Sequence, residues 1–94
     1  MKQSILDTQK YVCFLCGRIG PTECHHIFGG PNRRLSDEDG LFVHLCHSCH
    51  NQPPDGAHFN KETAKKLHMV GQKAWEAKYG DRADFMRRYG KNFM

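Results

Sequence analysis

The chain has 94 residues, of which only 38% are hydrophobic, and it carries five cysteines, seven histidines and a formal net charge of +4. A domain of this size buries a modest share of its surface and often needs a metal or disulfides to stay folded. No stretch approaches the roughly 20 apolar residues of a membrane helix, and residues 1–10 lack the apolar run of a signal peptide. We therefore expect a single cytoplasmic domain without membrane association. In that compartment, Cys-x-x-Cys pairs favour metal binding over disulfides.

The charge is distributed unevenly along the chain. Residues 1–59 carry five Lys or Arg against six Asp or Glu, whereas residues 60–94 carry nine against four. A basic segment beside a metal-rich one suits a polyanionic partner such as nucleic acid, but a solvated helix face produces the same bias. Charge alone leaves both readings open.

The amino-terminal half predicts short elements separated by turns. A short strand or knuckle is expected at residues 11–15, a strand at 23–28, a Gly-Gly-Pro-Asn break at 29–32, a polar loop at 33–40, a second strand at 41–45 and the start of a helix at 46–51.

The carboxy-terminal segment, residues 59–94, predicts two helices. Asn60 can cap the first, which Gly80 ends, and Asp81 can cap the second, which Gly90 ends. Apolar side chains recur at steps of three and four residues, so the aromatic residues of these helices are expected in the core.

Two Cys-x-x-Cys knuckles predict a structural zinc site. Cys13 and Cys16 form the first, and Cys46 and Cys49 form the second after 29 intervening residues. Four thiolates in a tetrahedron are a common structural site with no open position, so this zinc folds the chain and does not activate water. A pair of redox dithiols is the alternative. Cys24 stands outside this set and is expected to be buried in its strand as a small hydrophobe.

Histidines lie where the knuckles would gather them. His25 and His26 are adjacent between the two knuckles, His50 directly follows Cys49, and His58 lies across a Pro-Pro-Asp-Gly turn. Phosphodiester cleavage needs a base, a cation on the phosphate and stabilisation of the leaving oxygen, and imidazoles with a divalent ion supply all three. Three further histidines predict no catalytic site. His44 is expected at the surface, His47 is expected to be exposed or to contact a phosphate, and His68 is expected to pack on the apolar face of its helix.

The order of these motifs resembles the HNH endonucleases, which have the ββα-metal (His-Me finger) fold. The match covers residues 13–58: a Cys-x-x-Cys pair, His-His-Ile, Gly-Gly, then an apolar run into Leu-Cys-x-x-Cys-His. It looks like short HNH proteins of tailed phages and prophages and is similar to the phage RecA-dependent nuclease group. The resemblance implies a small zinc-stapled α+β domain with carboxy-terminal helices, acting on DNA in the cytoplasm of a bacterial host, beside packaging or recombination proteins.

The resemblance also implies roles for individual residues. His26 matches the general base, and His25 and His50 match ligands of a catalytic divalent ion such as Mg²⁺, Mn²⁺, Ni²⁺ or Zn²⁺. His58 is the nearest candidate for a further ligand, because the position that usually carries it is Pro54 here. The implied products carry 5′-phosphate and 3′-hydroxyl ends. The predicted DNA contacts are Arg33, Arg34, Lys61, Lys65 and Lys66, with surface solubility as the alternative for the lysines.

One position departs from the family pattern. Relatives often carry an Asn before the second knuckle that holds the loop aiming the base, and Asp39-Gly40-Leu41 stands there in this chain. A backbone turn at Gly40, or the side chain of Asp39 or Asn32, is the expected replacement.

Two rival functions remain open at this point. A non-catalytic zinc module that binds DNA or protein explains the cysteines and the basic segment but leaves His25, His26 and His50 without a task. An RNA-cleaving toxin with the same site is the other rival, although no aromatic array of the single-strand-binding kind is visible.

Overall fold

The computed structural model describes residues 3–54 and 56–94. It is a small mixed α+β fold with one two-stranded sheet, as the sequence predicts for the fold class. No helix within the described residues is long and apolar enough to cross a lipid bilayer. The elements in chain order are β1 (Glu23–His26), a short 3-10 helix (Gly30–Asn32), α1 (Arg33–Glu38), β2 (Phe42–Leu45), α2 (His47–Asn51), α3 (Lys61–Lys78) and α4 (Arg82–Tyr89).

The two strands are antiparallel, and their register decides which histidine faces which way. Glu23 pairs with Leu45 and His25 with Val43 on one face of the sheet. Successive side chains alternate between faces, so His26 lies with Cys24 on the opposite face. The buried face is the one that carries His25, which is 8% exposed.

Residues 33–40, predicted to be a polar loop, instead contain helix α1, which the polar composition concealed. Pro31 lies in the first turn of the preceding 3-10 helix, where a proline favours helical geometry. Ser36 is fully buried, and its hydroxyl accepts a hydrogen bond from the N–H of Phe28 and donates one to the carbonyl of Leu41. Gly40 then turns the chain with φ +74°. The segment between the strands is therefore a folded connection held at both ends by one serine.

The two carboxy-terminal helices pack over the segment that follows β1. Asn60 caps α3 by accepting a hydrogen bond from the N–H of Thr63, and a capping box begins α4 at Asp81, both as predicted. Helix α3 approaches the chain closely at Gly71, where an added Cβ would lie 2.6 Å from Cγ2 of Ile27. The buried aromatic and aliphatic side chains of this core include Ile27, Phe28, Leu41, Leu67, Trp75, Phe85 and Tyr89.

Asp39 joins the connection between the strands to both terminal helices. Its Oδ2 accepts hydrogen bonds from Trp75 Nε1 and Tyr89 OH, both at 2.8 Å, and from Arg88 Nε at 2.7 Å. Burial and the nearby Asp39 carboxylate raise the pKa of Tyr89 above its usual value, so the phenol stays a donor. The carboxylate is buried but hydrogen-bonded, and it fixes α3 and α4 against the connection between the strands.

Candidate metal centres

The four cysteines of the predicted zinc site lie together. The sulfur atoms of Cys13, Cys16, Cys46 and Cys49 are all within 4.8 Å of one another, which is close enough to hold a metal ion such as zinc. The first knuckle is a tight turn in which the N–H of Cys13 donates to the carbonyl of Arg18 at 2.9 Å. The second knuckle begins α2, so the cluster joins the amino-terminal segment to that helix.

The chemistry of these donors fits a zinc ion. Sγ of Cys16 lies 3.7 Å from Sγ of Cys46, and Zn–S bonds of about 2.3 Å in a tetrahedron place sulfurs about 3.8 Å apart. Burial opposes ionisation of Cys13, but backbone N–H groups lower its pKa to about 6. Burial and the neighbouring thiols raise the pKa of Cys49. Four sulfurs this close cannot all ionise without a cation, and a divalent ion would remove that conflict.

A second cluster consists of three imidazoles. His25 from β1, His50 from α2 and His58 from the following loop each place a ring nitrogen within 4.8 Å of the other two. The Nε2 atoms of His50 and His58 are 3.0 Å apart. The structure thus brings together the three residues predicted as ligands of a catalytic ion.

His25 has the character of a neutral metal ligand. Its Nδ1 is buried and has no hydrogen-bond partner among the described residues. Burial, together with His50 and His58, lowers the pKa of His25 to about 4. A buried polar atom without a partner is costly, and a neutral imidazole is the form that binds metals. The set of three imidazoles therefore fits a divalent ion.

Backbone hydrogen bonds position His58 despite the proline-rich turn before it. The N–H of Ala57 donates to the carbonyl of Cys49 at 2.7 Å, and the N–H of His58 donates to the carbonyl of His50 at 3.2 Å. These bonds return the chain to α2 after the turn. The imidazole of His58 thereby reaches the cluster.

Glu23 supports the imidazole cluster through hydrogen bonds to histidines of α2, a role that was not predicted from the sequence. Its Oε1 accepts from Nδ1 of His50 at 2.7 Å, and its Oε2 accepts from Nδ1 of His47 at 3.0 Å. These two imidazoles lower the pKa of Glu23. The bond fixes the His50 tautomer with Nε2 turned toward the cluster. The sequence did contain a signal for it: Glu23 and His25 are two residues apart on a strand, and such residues lie on the same face.

His26 stands apart from the three clustered imidazoles. Its Nε2 lies 3.2 Å from Oδ1 of Asp37 in α1, and its side chain is 16% exposed. Nδ1 has no hydrogen bond to any described residue. Asp37 was missed because its segment was interpreted as a loop. This imidazole is oriented by a carboxylate and has one ring nitrogen free for another partner.

One cleft connects these groups. A space of about 310 Å³ is lined by the three clustered imidazoles together with His26, Cys24, Gly29, Gly30 and Arg33. A neighbouring cleft shares His26, Gly30 and Arg33 and adds Pro31, Arg34 and Asp37. The two clefts therefore lie side by side, with His26, Gly30 and Arg33 between them.

The predicted basic contacts do not share one environment. Arg33 lines both clefts and has no acidic partner among the described residues, whereas Arg34 lies 3.9 Å from Glu38. Lys61, Lys65 and Lys66 are exposed on α3 and line neither cleft.

The predictions for the remaining cysteine and histidines are partly confirmed and partly wrong. Cys24 is exposed and lines the cleft, so the prediction of a buried cysteine is wrong. Side chains alternate along a strand, and Cys24 therefore lies on the face opposite the buried His25. His47 is exposed, as predicted, and His68 stacks on Phe28. His44 is only partly exposed and is held by Asp7 at 3.3 Å.

Ser36 links the two ends of the connection between β1 and β2, the segment that contains α1. Of the three predicted replacements for the Asn of the family pattern, the two side chains bind the carboxy-terminal helices: Asp39 accepts hydrogen bonds from α3 and α4, and Asn32 Nδ2 donates to the carbonyl of Tyr89 at 3.0 Å. Gly40 supplies the backbone turn between α1 and β2.

Comparisons with known protein families, with curated proteins and with solved structures found no match to this chain.

Proposed function

We propose that this protein is an HNH-type endonuclease that hydrolyses DNA phosphodiester bonds with the help of a divalent ion. The observation that carries the proposal is the convergence of His25, His50 and His58 in the cleft that also contains His26. A closed cysteine cluster beside an open imidazole cluster separates a folding role from a chemical one. The order β1, β2, α2 around the imidazoles supports a ββα-metal architecture.

Three imidazoles leave coordination positions for substrate. His25, His50 and His58 would hold the ion, which, when bound, would offset charge on the scissile phosphate and the leaving oxygen. Glu23 holds His50 in the tautomer that directs Nε2 into the cluster. The burial of His25 keeps its imidazole neutral and ready to bind.

His26 would act as the general base through Nδ1. Its Nε2 faces Asp37, so the proton on Nε2 is held by the carboxylate and the lone pair at Nδ1 accepts the proton of the attacking water. The Asp37 carboxylate would then stabilise the imidazolium that forms. Arg33, free of any acidic partner among the described residues, would bind a phosphate of the substrate backbone.

The biological setting rests on the family resemblance alone. A phage or prophage origin, a bacterial host cytoplasm, and action beside packaging or recombination proteins all follow from that resemblance. The basic balance of residues 60–94 supports a polyanionic partner but does not separate DNA from RNA.

The proposal is tested by digestion of supercoiled plasmid with a panel of divalent ions, using wild type and His26→Ala. We expect His26→Ala to keep its zinc, its melting temperature and its second metal, while cleavage falls by about 10²–10⁴-fold. His44→Ala, which removes an imidazole that lines neither the cleft at the imidazole cluster nor the neighbouring cleft, is the matched control and should cut within a few-fold of wild type.

Each rival function has its own outcome. Absence of cleavage with every ion would favour a non-catalytic zinc module. Faster cleavage of a matched RNA would favour the toxin. A His26→Ala protein that cuts at the wild-type rate would remove His26 as the base.

A further inference from the structure

Gly29 is a glycine that the fold does not require. Its φ is −93°, which any residue adopts, and an added Cβ would meet nothing within 4 Å. Glycine is also used where a ligand approaches the backbone closely. The other eight glycines have a positive φ at Gly17, Gly20, Gly30, Gly40 and Gly90, or backbone or side-chain atoms within 3.0 Å of an added Cβ at Gly56, Gly71 and Gly80.

The Gly29–Gly30 segment offers hydrogen-bond donors without partners. Neither N–H donates to an acceptor within residues 3–54 and 56–94, and both residues are exposed. Both line the cleft that contains the imidazole cluster. Phosphate oxygens accept hydrogen bonds from backbone N–H groups in such glycine-containing loops.

Arg33 adds a cation at the same place. Within the described part of the chain its guanidinium has no carboxylate partner, in contrast to Arg34 beside Glu38 at 3.9 Å. It lines the cleft together with both glycines. His25, 8% exposed, lines the cleft too, and its Nδ1 has no partner among the described residues. The donors and the cation therefore lie alongside a buried group that itself lacks a ligand.

We propose that Gly29, Gly30 and Arg33 form a subsite for a phosphate of the nucleic-acid backbone next to the phosphate at the imidazole cluster. This inference rests on the proposed function and extends it from the scissile phosphate to its neighbour. The two N–H groups and the guanidinium bind the phosphate oxygens. The missing side chain at position 29 leaves room for the sugar-phosphate backbone, and a methyl group there would occupy that room.

The experiment uses short DNA duplexes in which one phosphate at a time is replaced by a neutral methylphosphonate. Binding is measured by fluorescence anisotropy in the His26→Ala background, so that the DNA stays intact. Gly29→Ala and Arg33→Gln are added to that background, and Arg18→Gln, at an exposed arginine that lines neither cleft, is the matched control. Circular dichroism melting is recorded for every protein.

We expect Gly29→Ala and Arg33→Gln each to weaken binding by about ten-fold or more, as expected for hydrogen bonds to a charged group. Arg18→Gln should change binding little. In the parent protein, a methylphosphonate at one position should lower the affinity more than at any other position. This extra loss should disappear in Gly29→Ala and in Arg33→Gln, but not in the control variant. The melting temperature of Gly29→Ala should equal or exceed that of the parent.

Several results would overturn the subsite. Parent-like binding by both variants would do so, and so would an equal loss at every linkage position. Early melting of Gly29→Ala would show that the fold does need this glycine. A parent that binds no DNA would instead count against the proposed function, so the two failures are distinguishable.

Discussion

The cysteine cluster and the imidazole cluster share α2 but are built in different ways. The cysteines come as two pairs, each spaced by three positions within one turn. The imidazoles come from β1, α2 and the loop after it, and a carboxylate from β1 supports one of them. Each half of the cysteine cluster is set by a local turn, whereas every member of the imidazole cluster depends on packing between elements.

The difference separates stability from chemistry. Four sulfurs around a metal ion would complete a tetrahedron and leave no position for substrate, whereas three imidazoles in an accessible cleft would leave one. Loss of the first cluster should therefore unfold the chain. Loss of the second should empty a site on an intact fold.

The largest expected effect comes from Cys46→Ser. Structural zinc supplies an apparent binding free energy of about 10–16 kcal/mol in zinc-finger peptides, and the small core here leaves little to replace it. We expect loss of zinc by elemental analysis together with loss of the cooperative melting transition. His50→Ala is the contrasting variant, which should keep its zinc and its melting transition while losing the second ion.

Two outcomes would contradict this contrast. A folded, zinc-free Cys46→Ser protein would show that the core around Leu41, Leu45 and Phe85 is sufficient by itself. An unfolded His50→Ala protein would show that the imidazole cluster is structural.

An intermediate effect is expected from Glu23→Gln. The substitution removes the charge that holds Nδ1 of His50, and changes of this kind lower metal affinity by about 10–100-fold. Calorimetric titration with Mn²⁺ or Ni²⁺ of the zinc-loaded protein measures it, and zinc content should not change. Glu62→Gln, an exposed change of equal charge on α3, is the control. Equal affinities in the two variants would mean that Glu23 does not tune His50.

The smallest effect is expected from Lys65→Ala with Lys66→Ala. These exposed lysines line neither cleft, so their removal should weaken DNA binding equally for all sequences. The slope of log affinity against log salt should fall by about two, one per phosphate contact. Lys73→Ala with Lys78→Ala, further along α3, provides the charge-matched control. An unchanged slope would indicate that these lysines only face solvent.

Much of the fold was predictable because its signals are local. Asn60, Asp81 and Gly90 mark helix ends through hydrogen bonds or dihedral angles within a few residues, and the structure has all three. The cysteine pairs act over three positions. The register of His25 against His26 follows from the alternation of a strand.

The features that only the tertiary structure decided lie mostly between the two strands and after α2. Residues 33–38 form a helix although no apolar periodicity marks them, because the buried Ser36 hydroxyl satisfies Phe28 N–H and Leu41 C=O across the connection. Asp37 reaches His26 only because of that helix.

The candidate site shows the same division between local and distant signals. The sequence by itself determined the geometry within each cysteine pair and the opposite facing of the two adjacent histidines, since short spacings and the alternation of one strand fix them. Only the tertiary structure decided that His58 completes the imidazole cluster, that Glu23 supports His50 and that Cys24 faces the cleft. Those relations depend on backbone hydrogen bonds and strand pairing between segments distant in sequence, and no spacing rule along the chain encodes them.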